Sequence, residues 1–130
     1  MYTFMQVENT KAAHLATGCA GELLAAEYLR QLGYGILERN VRFGHDEIDI
    51  VAFDRRREMV VFTEVKTRTV SSENYPVRSA LTGHKRRCLK RAITRWLFAH
   101  DYDGPGRIDL VCVGNGKIVE HLMGIGSDFL

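Results

Sequence analysis

Two segments, Glu47-Ile-Asp-Ile-Val-Ala-Phe53 and Val60-Val-Phe-Thr-Glu-Val-Lys66, constrain the folding of this chain more than anything else in it. Both are rich in β-branched and aromatic residues, and the short polar run Asp54-Arg-Arg-Arg-Glu58 makes a tight connection between them, so they read as a hairpin. Side chains on a strand alternate between faces. Glu47, Asp49, Val51 and Phe53 therefore point one way, and Val60, Phe62, Glu64 and Lys66 share a face of the second strand. With residues 55 to 58 as a four-residue turn, Asp54 faces Met59 and Asp49 falls directly opposite Glu64. Opposed Cβ atoms lie only about 5 Å apart, and like charges there are destabilising unless something neutralises them. The opposition holds in this register alone, because a slip of one residue turns a strand's side chains to the other face.

The rest of the chain supplies cover for the hairpin. From about Glu8 to Leu32 the spacing is helical, with Leu15, Cys19, Ala26 and Leu29 on one face and Gly33 as a C′ stop. Gly35 to Phe43 reads as a further strand. Residues 68 to 78, with Ser71, Ser72, Asn74 and Pro76, read as a loop suited to closing over a substrate beside the end of the Glu64 strand. A second helix runs from Arg78 or Ser79 to His100. The strands Arg107 to Val113 and Lys117 to His121 follow, joined by Gly114-Asn115-Gly116, a strong hairpin signal. The order is α-β-β-β-α-β-β, an α/β (α+β) chain with a mixed central sheet flanked by helices. A length of 130 residues suits one domain, residues 9–130, after a loose N-terminal extension, residues 1–8. Apolar runs fall far short of the roughly 20 residues that span a membrane, so no membrane partner is expected. The N-terminus lacks the pattern of a secretory signal. Cys19, Cys88 and Cys112 form no C-x-x-C pair and are expected as free thiols in a reducing cytoplasm.

Hard cations such as Mg²⁺ take oxygen ligands, typically one or two carboxylates together with substrate phosphate oxygens. Asp49 and Glu64 on neighbouring strands, with Lys66 two residues on, suit a phosphodiesterase centre. A metal there would activate water and screen phosphate charge. The lysine would orient the attacking water and stabilise transition-state charge. The plainer alternative is a partly exposed ladder of ion pairs among the same three residues. Glu22 favours a site, because it falls on the apolar face of the first helix and glutamate is almost never fully buried unless paired. Its alternatives are reaching solvent or pairing with an arginine. Glu27 falls well around the helix, where solvent is expected. Gly18 and Gly21 would let that helix approach the sheet closely.

Four blocks carry a resemblance: Gly21-Glu22-x-x-Ala25-Ala26-x-Tyr28-Leu29, Gly33-Tyr34-x-Ile36-Leu37-x-Arg39-Asn40, Glu47-Ile48-Asp49-Ile50-Val51-Ala52 and Val61-Phe62-x-Glu64-Val65-Lys66-Thr67-Arg68. Together with Lys85, Arg107-Ile-Asp-Leu-Val111 and Ile118-x-x-His121, they resemble the YraN-like family of bacterial proteins. That family is placed in the restriction-endonuclease-like superfamily, whose motif is written PD-(D/E)-x-K. The resemblance implies a nuclease core similar to that of archaeal Holliday-junction resolvases, with Asp49, Glu64 and Lys66 as motif residues. It also implies Glu22 and the backbone carbonyl of Val65 as further metal ligands, Mg²⁺ as cofactor with Mn²⁺ as its substitute, DNA as partner, and a homodimer that cuts two strands. Two positions depart from the pattern. Ile48 replaces the proline of the motif name, and Asp46 stands where glycine is usual, which could alter the turn or the metal site.

The 18 Lys/Arg and 16 Asp/Glu nearly cancel, which hides a basic helix. His84 to Arg95 carries six Lys/Arg and no acid, leaving twelve bases against sixteen acids elsewhere. Lys85, Arg86, Arg87, Lys90, Arg91 and Arg95, with Arg68, are the candidate nucleic-acid contacts. Arg87, Arg91 and Arg95 form a stripe opposite Leu89, Ile93 and Trp96, which should pack on the sheet. Lys85 lies beside that apolar face and could reach the edge of the metal site. Phosphate contacts of this kind position nucleic acid without reading sequence. Arg55-Arg56-Arg57 is a second candidate contact. His14, His45, His84, His100 and His121 lack ligand spacing and read as surface or hydrogen-bonded residues. The expectation is a metal-dependent, structure-selective DNA endonuclease. Its alternatives are a non-catalytic nucleic-acid-binding protein, or a subunit active only with a partner.

Overall fold

The computed structural model describes residues 10–68 and 82–125, with side chains in the first helix from Cys19 onward. Its elements are α1 (Thr10–Gln31), β1 (Tyr34–Phe43), β2 (Asp46–Asp54), β3 (Met59–Arg68), α2 (Gly83–Ala99), β4 (Gly106–Gly114) and β5 (Lys117–Leu122), in the expected order. The strands lie side by side as β1-β2-β3-β4-β5, every pair antiparallel except β3 and β4. Parallel strands need a long crossover, and α2 lies within this one. The loop expected over residues 68 to 78 and the extension over residues 1–8 lie almost wholly outside the described residues.

The hairpin has the expected register, from Asp54 opposite Met59 to Ile50 opposite Thr63. Its turn is held by Asp54, whose buried carboxylate accepts the Arg56 and Arg57 backbone N–H groups at 3.1 and 3.2 Å. The Asn115-Gly116 turn has φ of 52° and 72°, the left-handed pair that a two-residue hairpin loop requires.

Helices cover both sides of the sheet. On one side Ala25, Ala26 and Leu29 of α1 pack on Ile50, Ala52, Val61, Val111 and Val113. On the other, Leu89, Ala92, Ile93 and Trp96 of α2 pack on Val51, Val60, Phe62 and Ile108. β3 is thus buried on both faces, which explains its near-continuous apolar run. The expected apolar face of α2 is the buried one. Its start is later than the periodicity predicts: Thr82 is extended (φ −66°, ψ 165°) and its hydroxyl accepts the Lys85 N–H at 3.2 Å, so the helix begins at Gly83 rather than at Arg78 or Ser79. The buried face of α1 also needs correction. Cys19 is exposed, because the face turned to the sheet centres on Gly21, Ala25 and Leu29 and leaves Cys19 at its rim. Glu27 is in solvent, as expected, with Arg30 at 3.3 Å.

Gly21 is where α1 comes closest to β3. A Cβ built there would lie 2.3 Å from Thr67 Oγ1, well inside contact distance. Gly21→Ala should therefore lower stability by roughly 1–3 kcal/mol, despite alanine's better helix propensity. Thr67→Ala in the same chain should restore most of the loss, read as a non-additive double-mutant cycle in thermal melts.

A buried polar cluster under α1 was not singled out by any spacing. Arg107 donates to Asp109 at 2.9 and 3.2 Å, to Asp54 at 2.8 Å, and to the Tyr34 hydroxyl. Asp109 also accepts from Gly124 N–H at 3.1 Å and from His121 Nε2 at 2.7 Å, while the Tyr28 hydroxyl lies 2.9 Å from His121 Nδ1. Residues from α1, β1, β2, β4 and β5 are tied together here. His121 is thus the hydrogen-bonded histidine the sequence suggested.

Candidate metal centre

β2 and β3 part where the two acids meet. Regular pairing ends at Ile50 and Thr63, and Asp49 Oδ2 accepts the Val65 N–H at 2.7 Å. The alternation along β2 breaks at the same point. Ile48 packs in the α2-side cluster and Ile50 in the α1-side cluster, although two residues apart should share a face. Asp49 sits at this break, only 7% exposed, and Glu64 is 5% exposed. The half-buried Glu22 of α1 and Glu64 of β3 both lie near enough to Asp49 to act on its ionisation. The sequence reading brought these three acids to one place, and the fold does so.

The electrostatics follow from burial. Asp49 is pushed up to about 6 by desolvation, reinforced by Glu22 and Glu47 and opposed by the Val65 N–H. Glu64 is pushed up to about 7 by desolvation and by Asp49, against the pull of Lys85. Glu22 is raised by burial and by Glu47 and Glu64, while Asp49 and the Arg39 charge oppose the rise. Lys85 extends from the first turn of α2 and places Nζ 2.8 Å from Glu64 Oε1. Its burial would lower its own pKa, but Glu64, Asp49 and Glu47 outweigh that and raise it. Several carboxyls thus surround one ammonium.

The sequence-selected cations sort into two groups. The cation on Glu64 is Lys85, not Lys66, because α2 packs its N-terminal turn beside the strand end. Lys66 lies half-buried on β3, two residues on. Arg91 was expected in the phosphate stripe, but it grips Asp46 through Nε and Nη2, both at 3.0 Å. Those hydrogen bonds hold Asp46 below its ordinary range. Salt-bridge lacing is absent within α2 because its acids come from β2 and β3. Asp46 is therefore spent on Arg91, and Asp46→Asn should leave Mn²⁺ affinity unchanged in a titration. Arg86, Arg87 and Arg95 are exposed, and Lys90 and Arg68 are half-buried. Arg57, from the second candidate group, pairs with Asp54 at 3.1 Å. Arg39 was missed. It is paired with Ile50 on the adjacent strand, one residue from Asp49, and its charge acts on Glu22. Its signal was available in the β1 to β2 register, had the bulge between Ile36 and Glu38 been foreseen.

The donor set fits a hard dication: two buried carboxylates with raised pKa values, a third acid beside them, and oxygen donors throughout. Asp49, Glu64, the Val65 carbonyl and Glu22 would hold it. Among the described residues no group of three or more His, Cys, Asp or Glu side chains is arranged to hold a metal ion by itself. Among them, too, no helix is long and apolar enough to cross a membrane.

The chain is an α/β protein whose five-stranded mixed sheet, flanked by helices, has the element order expected from the sequence. Comparison with known proteins narrows it: residues 21–113 match the Uncharacterised protein family UPF0102, and the chain belongs to that family. A UPF0102 protein of Oleidesulfovibrio alaskensis is 48% identical over 102 residues, covering 78% of this chain and 49% of its own length. One from Mycobacterium avium is 37% identical over 124 residues, covering 91% and 95%. The chain thus spans about half of the first relative and nearly all of the second. Among solved structures, one described as "Structure of EndoMS-dsDNA2 complex" aligns over 83% of this chain and 39% of its own, with a TM-score of 0.41 and 13% identity.

Proposed function

We propose that the protein is a metal-dependent DNA endonuclease that recognises DNA structure rather than sequence, with branched or nicked repair and recombination intermediates as substrates. The observation that carries this reading is the buried Asp49–Glu64 pair, both raised in pKa, at the point where β2 and β3 separate. Desolvation and like charge raise carboxyl pKa values, and strongly perturbed carboxyls beside a cleft are a mark of functional sites. A Mg²⁺ ion held there would supply an activated water and charge neutralisation at phosphate. The chain's own groups do the rest. Asp49 is aimed by the Val65 N–H, Glu22 stands beside Asp49 from α1, Lys66 is the motif lysine on β3 two residues beyond Glu64, and α2 offers exposed arginines for the backbone of the substrate.

The test is a Mg²⁺ or Mn²⁺ titration with branched, nicked and linear DNA. Cleavage should require the cation and favour branched substrates. Cleavage that survives both Asp49→Ala and Glu64→Ala would sink the mechanism. Charge removal at Arg86, Arg87 and Arg95 together should weaken binding to every DNA and flatten its salt dependence by about 0.9 in slope per lost phosphate contact. Unchanged binding would show that another face meets DNA. Pairing of two copies to cut two strands is part of the proposal, and a mass measurement in solution with and without branched DNA tests it.

A second reading has one observation in its favour: the Lys85–Glu64 ion pair answers the buried acid without any metal. It makes the protein a non-catalytic nucleic-acid binder, or a subunit active only with a partner. DNA binding without cation-dependent cleavage of any substrate in the panel would favour it.

A further inference from the structure

We propose that Lys85 is a two-position cation: it holds Glu64 while no metal is bound, and moves to a phosphate oxygen of the substrate once a divalent ion takes its place. The inference rests on the metal reading of Asp49 and Glu64. It adds a residue outside their strands, and a coupling between metal and substrate.

The pairing is asymmetric. Glu64 is buried, with its side chain 7% exposed, whereas the Lys85 side chain is 45% exposed. The carboxylate is fixed and the ammonium sits at the end of a flexible stem with open space beside it. That space is a cleft of about 300 Å³, lined by Glu64 and Glu47 on one wall and by Thr82, His84 and Lys85 on the other. Lys85 is also badly placed for its own helix. It lies in the first turn of α2, where the helix dipole disfavours cations, among His84, Arg86 and Arg87 and with no acid in that turn. Thr82 caps its N–H and fixes its backbone, so only the side chain is free to move. Glu64 is what keeps that ammonium in place.

A divalent ion on Glu64 would displace Nζ, because ammonium and dication compete for the same oxygen. The released ammonium would still face the cleft. A phosphate oxygen entering beside the metal is the nearest anionic partner the chemistry offers, and lysine binds phosphate as a point charge. No bond is made or broken, and one ion pair is exchanged for another.

The two halves predict opposite effects of one substitution. In Lys85→Met without DNA, the Mn²⁺ dissociation constant, read from the EPR signal of free Mn²⁺, should fall by about five- to tenfold, since a partly buried competitor is gone. Damage to the site would weaken Mn²⁺ binding, so the sign itself excludes a merely structural role. With Ca²⁺ present and a short nicked duplex as probe, the same variant should bind DNA more weakly, with the salt slope reduced by about 1. In EDTA its DNA affinity should equal that of the unmodified protein, where Lys85 is held by Glu64. Glu64→Gln separates the failures. If the unmodified protein binds Mn²⁺, Glu64→Gln abolishes it and Lys85→Met leaves it unchanged or weaker, the exchange is wrong and the metal reading stands. If neither the unmodified protein nor Lys85→Met binds Mn²⁺, the metal reading falls and the exchange with it. Equal loss of DNA affinity in Ca²⁺ and in EDTA would also overturn it, because Lys85 would then contact DNA without regard to the metal.

Discussion

Without divalent cation at pH 8, Asp49→Asn and Glu64→Gln should each melt higher than the unmodified protein. Both carboxyls have folded values above their ordinary ones, about 6 against 3.8 and about 7 against 4.5. A raised carboxyl favours the folded state while protonated. That contribution is complete below the ordinary value and is lost as pH rises through the folded value, here between about 4 and 7. By pH 8 the metal-free protein carries the whole penalty. Displacements of this size correspond to a ceiling of roughly 3 kcal/mol for each carboxyl. The amides keep the shape, and an asparagine oxygen can still accept the Val65 N–H. A gain of about 1–2 kcal/mol, several degrees in the melting temperature, is expected at pH 8 and should vanish near pH 4.5. Mn²⁺ should stabilise the unmodified protein progressively more across the same pH range and should not stabilise either variant. Melts at several pH values with and without Mn²⁺ measure all of this. Variants that melt lower at pH 8 would identify the acids as members of a structural ion-pair ladder, the alternative that the spacing left open.

The second large effect lies under α1. Arg107→Met should destabilise the protein by about 3–5 kcal/mol, because it strands two buried carboxylates without their common partner. Asp54 is 1% exposed and Asp109 is 0% exposed, so neither has water to fall back on. Burial alone would raise both. The hydrogen bonds from Arg107 and Arg57 outweigh it and hold Asp54 down to about 2, and those from His121, Arg107 and Gly124 hold Asp109 below its ordinary range. Lowered carboxyls stabilise the fold above their ordinary pKa, and that contribution is lost as pH falls through the folded value. The unmodified protein should therefore lose stability between about pH 4 and 2. In Arg107→Met the dependence should reverse around pH 4 to 5, where protonation relieves the stranded charges. Adding Asp54→Asn and Asp109→Asn should recover much of the loss. A loss below about 1 kcal/mol in chemical denaturation would show that the cluster is wet rather than buried.

Particular residues show how far the sequence could be read. The hairpin register from Asp54–Met59 to Ile50–Thr63 was legible because a strand has a fixed period of two and a four-residue turn leaves one register. The direct opposition of Asp49 and Glu64 is corrected: pairing ends one residue earlier, where Asp49 turns to the Val65 N–H. The buried face of α2 was legible because Leu89, Ile93 and Trp96 recur at helical spacing. Glu22 was legible as an acid on an apolar face. Cys19 was misplaced because a helix face is broad and its rim depends on how the helix is set down. The start of α2 was misplaced because periodicity cannot see that Thr82 is extended. Lys85 and Arg91 look alike in a run of six bases, yet one answers Glu64 and the other Asp46. Arg107 reaches partners 53 and 73 positions away, a separation no local pattern encodes.

Local rules of period and turn thus determined the elements, their order, the hairpin register and the buried face of α2. Only the tertiary structure decided which cation answers which acid, where β2 changes faces, and how far each carboxyl is driven from its ordinary pKa. Periodicity is a property of neighbouring residues along the chain. Coulomb attraction and desolvation depend on distance and burial in space, and those exist only once the helices are packed on the sheet.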